Sequence, residues 1–179
     1  SDIKLRKKNL TKGEGAKVTF TIKNTGDVAG SEIAQVYVAK PESKVFRAPK
    51  ELKGFVKVQL QPGEEKKGTV ELDDRAFAFW NTATADWCVE SGEYKIFVGA
   101  SSRDIRLEAV ANMKSEDDAT IVDLRESADI YFDGDPARAR EDDFKTIYGG
   151  EFKLAPEITS DSLNNSIERS KDKGLAKFI

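Results

Sequence analysis

The 179-residue sequence contains no histidine. This absence excludes the commonest general base in proteins, every catalytic triad built on an imidazole, and zinc sites that rely on histidine ligands. Only one cysteine, Cys88, is present, so no disulfide forms within the chain and packing alone must hold the fold together. Cys88 lies in an apolar run, where a buried and unreactive thiol is the expected role.

Long apolar stretches, a leader sequence and strong net charge are also missing. No run of 18 or more apolar residues occurs, which predicts that no helix spans a membrane. The net charge of −3 is small, so no nucleic acid is expected as a partner. Ser1 does not open a basic and then apolar leader, and together with the single thiol this favours a reducing, cytoplasmic location. Both ends read as cuts, so we expect a piece of a longer chain.

The sequence does contain short runs that alternate apolar and polar residues, which is the pattern of half-buried β-strands. Val18, Phe20 and Ile22 alternate with polar neighbours, and the run from Gly30 to Ala39 is partly apolar on both sides, as in a central strand. About seven or eight such runs, with turns every 8–12 residues, predict an all-β immunoglobulin-like or fibronectin type III-like β-sandwich. No pair of cysteines flanks a tryptophan, which favours the fibronectin type III-like form.

The stretch from Trp87 to Leu107 is predicted to close the sandwich as a hairpin. Its two strands would be Trp87 to Glu90 and Tyr94 to Ala100, joined by a Ser-Gly-Glu turn, with Ile105 beginning a last edge strand. This stretch therefore marks the predicted end of the sandwich at Leu107.

The charge balance changes near residue 108. Residues 1–107 contain 19 Lys and Arg against 15 Asp and Glu, whereas residues 108–179 contain 10 against 17. We therefore predict a sandwich over 1–107 and an irregular acidic C-terminal extension over 108–179 that docks on the sandwich or on a neighbouring domain. In this extension, two apolar runs, 121–124 and 130–132, are predicted as docked strands. Helical turns are predicted at 142–148 and near 161–170.

Three blocks of the sequence resemble the fibronectin type III-like domain of family 3 glycoside hydrolases, the β-glucosidases and β-xylosidases. The blocks are VTFTIKNTGDVAGSEIAQVYV, RAPKELKGFVKVQLQPGE and the stretch from Trp87 to Ile105. Each block alone is an ordinary strand-turn-strand, but their order and spacing over residues 1–107 are specific. The later segment FKTIYGGEFKLAP resembles, more weakly, the segment after this domain in longer bacterial members.

The resemblance implies a non-catalytic accessory domain whose partners are the catalytic domains of the same parent chain. The family's Asp nucleophile and Glu acid/base lie in other domains, and no motif for either occurs here, so we assign no catalytic residue. The acidic runs 116–118 and 133–135 lack calcium-loop spacing, so solvated loops are expected, with no metal and no cofactor. The parent would hydrolyse terminal β-linked sugars, a β-glucosidase being favoured. Two alternatives stay open: a carbohydrate-binding module and a cell-surface adhesion module.

Two candidate sites are indicated by the residues themselves. The first candidate site lies in the basic loop of residues 40–53. Charged contacts with a neighbouring domain are predicted for three of its residues, Arg47, Lys50 and Glu51; the alternative is a solvated loop. Trp80 lies in a loop-like stretch and is the candidate for stacking on a carbohydrate. A wider platform would add three more aromatic residues: Trp87, Tyr94 and Tyr131. For Trp87, packing in the core is the better explanation.

Overall fold

The computed structural model describes residues 1–132 and 140–148, and its main component is a β-sandwich. Within residues 1–132 the strands form two larger sheets and one small hairpin. The contacts divide the chain into a first unit, Ser1–Arg138, and a second unit, Ala139–Ile179. In the second unit the described element is the helix α1, Glu141–Tyr148, where the sequence predicts a helical turn. No helix in the described ranges is both long enough and apolar enough to cross a membrane.

The smaller of the two facing sheets has the strand order β1-β3-β6 and is antiparallel. Its strands are Lys4–Leu5 (β1), Ala16–Lys23 (β3) and Glu65–Leu72 (β6). The larger sheet has the order β2-β10-β9-β4-β5, with β2 parallel to β10. Its strands are Asn9–Thr11 (β2), Gly30–Ala39 (β4), Glu51–Leu60 (β5), Gly92–Gly99 (β9) and Ile105–Lys114 (β10). The hairpin pairs Phe79–Asn81 (β7) with Asp86–Cys88 (β8).

The alternation of apolar residues places one face of each sheet in a shared core. Val18 and Phe20 of β3 are almost completely buried, and Val36 of β4 and Ile96 of β9 face them from the larger sheet. The strand β4 lies between β5 and β9, so the prediction of a central strand is confirmed. Cys88 is buried, as expected for an unreactive thiol. The all-β sandwich predicted from the pattern is therefore confirmed.

The predicted pairing of the Trp87–Leu107 stretch is wrong. The strand β8 pairs with β7, not with β9, and β9 forms its hairpin with β10 through the turn at residues 100–104. The Ser-Gly-Glu segment connects two sheets, with Gly92 at a φ of 112°. A turn signal between two apolar runs does not determine whether the runs pair with each other, because that depends on which strand edges are free in the assembled fold.

The sandwich continues beyond Leu107, the residue at which the predicted domain ends. Leu107 lies inside β10, which runs on to Lys114 with Ala111 and Met113 buried in the core. The small side chains Ala109 and Ala111 weaken the apolar signal of this strand, and Glu108 on its outer side shifts the charge balance. How the remaining extension is shared between the sandwich and a neighbouring domain stays a prediction.

Residues 115–132 come after β10, belong to the first unit and lie against the sandwich without forming a strand. They contain two short 3-10 turns, Asp117–Thr120 and Asp129–Tyr131, so the predicted docked strands at 121–124 and 130–132 are wrong. Ile121 and Ala128 are nevertheless buried. Side-chain hydrogen bonds hold this segment in place of a strand ladder. The carboxylates of Asp117 and Asp118 accept hydrogen bonds from backbone N–H groups of residues 89 and 91. The helix predicted near 161–170 lies outside the described residues.

Candidate functional site

The loop of residues 40–50, here called the anchored loop, joins β4 to β5 at one end of the sandwich and contains two of the three candidate docking residues, Arg47 and Lys50. The side chain of Arg47 is 9% exposed, and its guanidinium points into the sandwich. It donates to Glu51 Oε1 at 3.2 Å and to the carbonyl oxygens of Phe77 and Ala78 at 3.4 Å. Arg47 therefore fastens the loop to its own domain.

Glu51 lies at the start of β5, between two cations. Its second carboxylate oxygen accepts a hydrogen bond from Lys53 Nζ at 2.7 Å. Burial acts to raise the pKa of Glu51, but the hydrogen bond from Lys53 and the charge of Arg47 outweigh it, so the pKa is lower than usual. Lys50 is half-buried and makes no hydrogen bond or ion pair within the described residues. Contact of these three residues with a neighbouring domain stays a prediction.

A buried carboxylate, Glu90, is the central residue of this end of the sandwich, and it was not identified from the sequence. Glu90 is 1% exposed. Its carboxylate accepts hydrogen bonds from Ser43 Oγ and from the backbone N–H of Lys44, both at 2.6 Å, and lies 3.9 Å from Arg47 Nη1. Buried carboxylates persist when charge and hydrogen bonds compensate their lost hydration, and here the loop supplies both. A charged residue that ends the apolar run WCVE was the only available signal.

Tyr94 completes the network beneath the loop. It is fully buried, and its hydroxyl lies 3.1 Å from the carbonyl oxygen of Glu90 and 3.2 Å from that of Phe77. Burial raises the pKa of the phenol far above its usual value, so Tyr94 remains a neutral donor. Lys40 Nζ lies 5.5 Å from the centre of the Tyr94 ring, and burial lowers the pKa of this lysine. Glu90, Tyr94 and Arg47 therefore form a structural network in which the buried polar side-chain atoms have hydrogen-bond partners.

Residues 115–132 cover the outer side of the anchored loop. The backbone N–H of Leu124 donates to the carbonyl oxygen of Lys44 at 2.8 Å. The ring of Phe46 contacts the rings of Tyr131 and Phe132, with centroids 5.7 and 6.2 Å apart. The loop is thus held from below by Glu90 and from above by the segment after β10.

The acidic run at residues 116–118 is structural and not simply solvated. Asp117 accepts hydrogen bonds from the backbone N–H of Val89 at 2.9 Å and from Lys12 Nζ at 2.7 Å, and Asp118 accepts one from the N–H of Ser91 at 3.1 Å. Within the described ranges, no group of three or more His, Cys, Asp or Glu residues is placed to hold a metal ion. The second acidic run, 133–135, lies outside those ranges.

Trp80 lies on the β7–β8 hairpin and is 50% exposed. Its cross-strand neighbour is Trp87, with the two rings edge to face at 5.6 Å, and the guanidinium of Arg75 covers the Trp87 ring at 3.8 Å. Tyr94 is buried and Tyr131 contacts Phe46, so the four aromatic residues do not form one platform. A single exposed indole is what remains for stacking.

A cleft of about 330 Å³ opens between the two sheets at the opposite end of the sandwich. Its apolar walls include Phe20, Ile22 and Val98, and Arg106 lies at its rim. Arg106 is paired with Asp104 at 2.7 Å on the surface. Specific small-molecule sites combine apolar walls with convergent polar groups, and the paired Arg106 does not supply one.

Comparison with protein families places the sandwich among known domains. The profile of the fibronectin type III-like domain matches residues 32–102. The thermostable beta-glucosidase B of Acetivibrio thermocellus is 50% identical over 115 residues, which are 64% of this chain and 15% of that enzyme. An exo-alpha-(1->6)-L-arabinopyranosidase of Bifidobacterium breve is 56% identical over 90 residues, 50% of this chain and 12% of that enzyme.

Solved structures agree with these relatives. The crystal structure of a GH3 beta-glucosidase from Bifidobacterium adolescentis matches with a TM-score of 0.59 and 46% identity, over 63% of this chain and 16% of that one. A beta-glucosidase from Listeria innocua, crystallised with glucose, matches with a TM-score of 0.56 and 40% identity, again over 16% of its length. The chain therefore spans between 12% and 16% of the length of these four relatives.

Proposed function

The chain contains the fibronectin type III-like domain of family 3 glycoside hydrolases, and from this we propose that it is the non-catalytic accessory part of such an enzyme. Coverage is the main support: a relative that is 50% identical extends far beyond the matched segment, which makes up 15% of its length. The role that fits is to support the catalytic domains of the same polypeptide.

The chemistry of the described residues supports an accessory role. Retaining glycosidases use two carboxyl groups roughly 5–5.5 Å apart across the sugar, one of them free to exchange a proton. The most buried acid here, Glu90, has its carboxylate occupied by Ser43 Oγ and the Lys44 amide. Among the described residues, no buried side-chain nitrogen or oxygen lacks a hydrogen-bond partner. A carboxylate used in this way holds a loop and does not serve as an acid or base.

We propose that the parent enzyme removes terminal sugars, a β-linked glucose first of all. A relative that matches over 115 residues is a beta-glucosidase, whereas the Bifidobacterium breve relative, which matches over 90, is named for an α-linked L-arabinopyranoside. Both are pyranosides attached at a terminal position, so both belong in the test. The choice between them depends on the catalytic domains, which the fibronectin type III-like domain does not contain.

The test begins with the reading frame on both sides of the 179 residues. The full-length protein and the 179-residue chain are then assayed with nitrophenyl β-glucoside and nitrophenyl α-L-arabinopyranoside. We expect a neighbouring glycosidase domain and hydrolysis by the full-length protein alone. A reading frame without a glycosidase domain, or hydrolysis by the 179-residue chain itself, would contradict the proposal. Fractionation of the source cells tests the proposed cytoplasmic location.

A carbohydrate-binding module is the second candidate, and the half-exposed indole of Trp80 favours it. Flat aromatic side chains present apolar surface to the faces of a sugar ring. This function predicts that soluble β-glucan retards the 179-residue chain in affinity electrophoresis and that Trp80→Ala removes the retardation. Equal mobility with and without the glucan would exclude it.

A further inference from the structure

The two sheets differ in the character of their outer faces. On β3 and β6 of the smaller sheet, the residues that point away from the core are all polar and lie opposite one another in register: Lys17 and Glu71, Thr19 and Thr69, Thr21 and Lys67. This is the ordinary pattern of an antiparallel sheet with one face in water. The smaller sheet therefore serves as an internal reference for a solvated face.

The larger sheet has an apolar group at the same kind of position, here called the outer patch. Its members lie on β4, β5 and β9 and point away from the core: Ile33, Tyr37, Leu52, Phe55 and Phe97. Tyr37 is the centre, with Leu52 opposite it on β5 and Phe97 opposite it on β9. Phe55 is 67% exposed, Leu52 52% and Ile33 43%. Contiguous exposed apolar side chains on an otherwise charged surface mark interaction sites.

The central residue of the outer patch, Tyr37, is held in place by hydrogen bonds. The hydroxyl of Tyr37 donates to Gln35 Oε1, and Gln35 Nε2 donates to the carbonyl oxygen of Ala100 at 3.0 Å. Tyr37 is also only 5% exposed, so both its hydroxyl and its ring have partners within the domain. A surface whose side chains are already ordered loses little conformational entropy when it binds.

The same hydrogen bonds indicate what the outer patch binds. A sugar needs donors and acceptors for its hydroxyl groups, and the polar atoms of Tyr37 and Gln35 are already engaged with each other and with Ala100. The exposed side chains of the outer patch itself are hydrocarbon, which matches an apolar protein surface, and the charged Lys57 and Glu108 lie beside it, opposite Ile33 and Phe97. Pairing with a second copy along β5 is disfavoured, because this edge strand contains Lys53 and Lys57 and is irregular opposite Val36 and Tyr37.

We propose that the outer patch is the surface on which the catalytic part of the same parent polypeptide packs. This inference rests on the proposed function. The relatives indicate what binds the outer patch. This chain covers 15% of the beta-glucosidase to which it is 50% identical, so the other 85% of that enzyme lies outside the matched segment. A patch of five side chains is enough to hold two domains of one polypeptide together, because the covalent linkage makes the effective concentration of the partner domain high.

The test compares the full-length protein with the 179-residue chain, each in wild-type, Phe55→Ser and Val28→Ser forms. Val28 is the matched control, since it is a 77% exposed apolar residue outside the outer patch. In the full-length protein, Phe55→Ser should speed native-state proteolytic release of the domain about tenfold, because cleavage follows the population of the undocked form. Val28→Ser should leave that rate unchanged. In the 179-residue chain, neither substitution should change the urea midpoint.

Hydroxyl-radical labelling of the wild-type protein gives a second measurement that does not depend on a variant folding. Phe55 should be protected in the full-length protein and reactive in the 179-residue chain. Equal reactivity of Phe55 in the two proteins overturns the inference. So does self-association of the 179-residue chain, or its binding to glucan, if Phe55→Ser abolishes it. A reading frame with a glycosidase domain but an unprotected Phe55 refutes this inference alone, whereas a reading frame without such a domain refutes the proposed function as well.

Discussion

Replacement of Glu90 by Ala should destabilise the 179-residue chain more than the loss of any surface acid. The substitution removes the acceptor of Ser43 Oγ and of the Lys44 amide, and takes one of two carboxylates, Glu90 and Glu51, away from the guanidinium of Arg47. A hydrogen bond to a charged group contributes about 1.5–3 kcal/mol, and breaking a buried pair costs about 3–5 kcal/mol. The cost of burying Glu90 itself offsets part of this, so we expect a loss of about 3 kcal/mol.

The assay is urea unfolding followed by tryptophan fluorescence and by far-UV circular dichroism. With a slope of about 2 kcal/mol per molar urea, the expected loss lowers the midpoint by roughly 1.5 M. Glu90→Gln keeps one carbonyl acceptor but no charge, so its loss should be about half as large. Glu93→Ala, at an exposed acid three residues away, is the matched control and should change stability by less than about 0.5 kcal/mol.

The local effect of the same substitution is checked by cleavage with a lysine-specific protease. Because Glu90 binds the Lys44 amide, its loss should expose the anchored loop to cleavage after Lys44 before the chain unfolds globally. The reasoning is refuted if Glu90→Ala and Glu93→Ala shift the urea midpoint equally, or if cleavage at Lys44 does not accelerate. If Glu90→Ala does not fold, the comparison of Glu90→Gln with Glu93→Gln decides the question.

Three further outcomes are expected from single contacts. Gly68→Ala places a Cβ 2.6 Å from the buried ring of Phe20 and should cost about 1–3 kcal/mol in urea unfolding, whereas Gly30→Ala, with no atom within 4 Å, should cost less than about 1 kcal/mol; equal costs would contradict the packing. Burial acts to raise the pKa of Asp117, but its hydrogen bonds outweigh this and lower it. Its stabilisation is therefore complete above the unfolded pKa of about 3.9 and lost as the pH falls through the folded value. Asp117→Asn should flatten the acid limb of the stability curve between about pH 5 and 2, and an unchanged limb would count against the assignment. Trp80→Ala should leave the free energy of unfolding within about 0.5 kcal/mol of wild type, since the ring is half exposed, and a larger loss would show a packing role.

The family and the strands were within reach of the sequence because both depend on local order. Val18 and Phe20 alternate with polar neighbours, and a two-residue period places them on one face whatever the strand pairs with. The same holds for a short-range cap: the carboxylate of Asp73 accepts the N–H of Ala76, three residues further on, at 3.0 Å.

The pairing of the strands and the burial of charged side chains could not be predicted from the sequence, because both depend on contacts between residues that are far apart in the chain. The β8 strand pairs with β7 where the sequence suggested β9, and Ser43 meets Glu90 across 47 residues. Arg47 resembled a surface cation in a basic loop, yet the assembled end of the sandwich surrounds it with carbonyl oxygens. Nothing in the spacing of these residues encodes that arrangement.

The sequence by itself determined that the chain forms a β-sandwich, which face of a strictly alternating strand such as β3 enters the core, and the family it resembles. The absence of histidine excluded imidazole chemistry without any coordinates. Only the tertiary structure decided that Glu90 anchors the loop, that Tyr37 and Gln35 form a hydrogen bond at the centre of the outer patch, and that Phe55 faces solvent. Alternation is a property of neighbouring residues, whereas exposure on a sheet face depends on which distant strands and segments cover it.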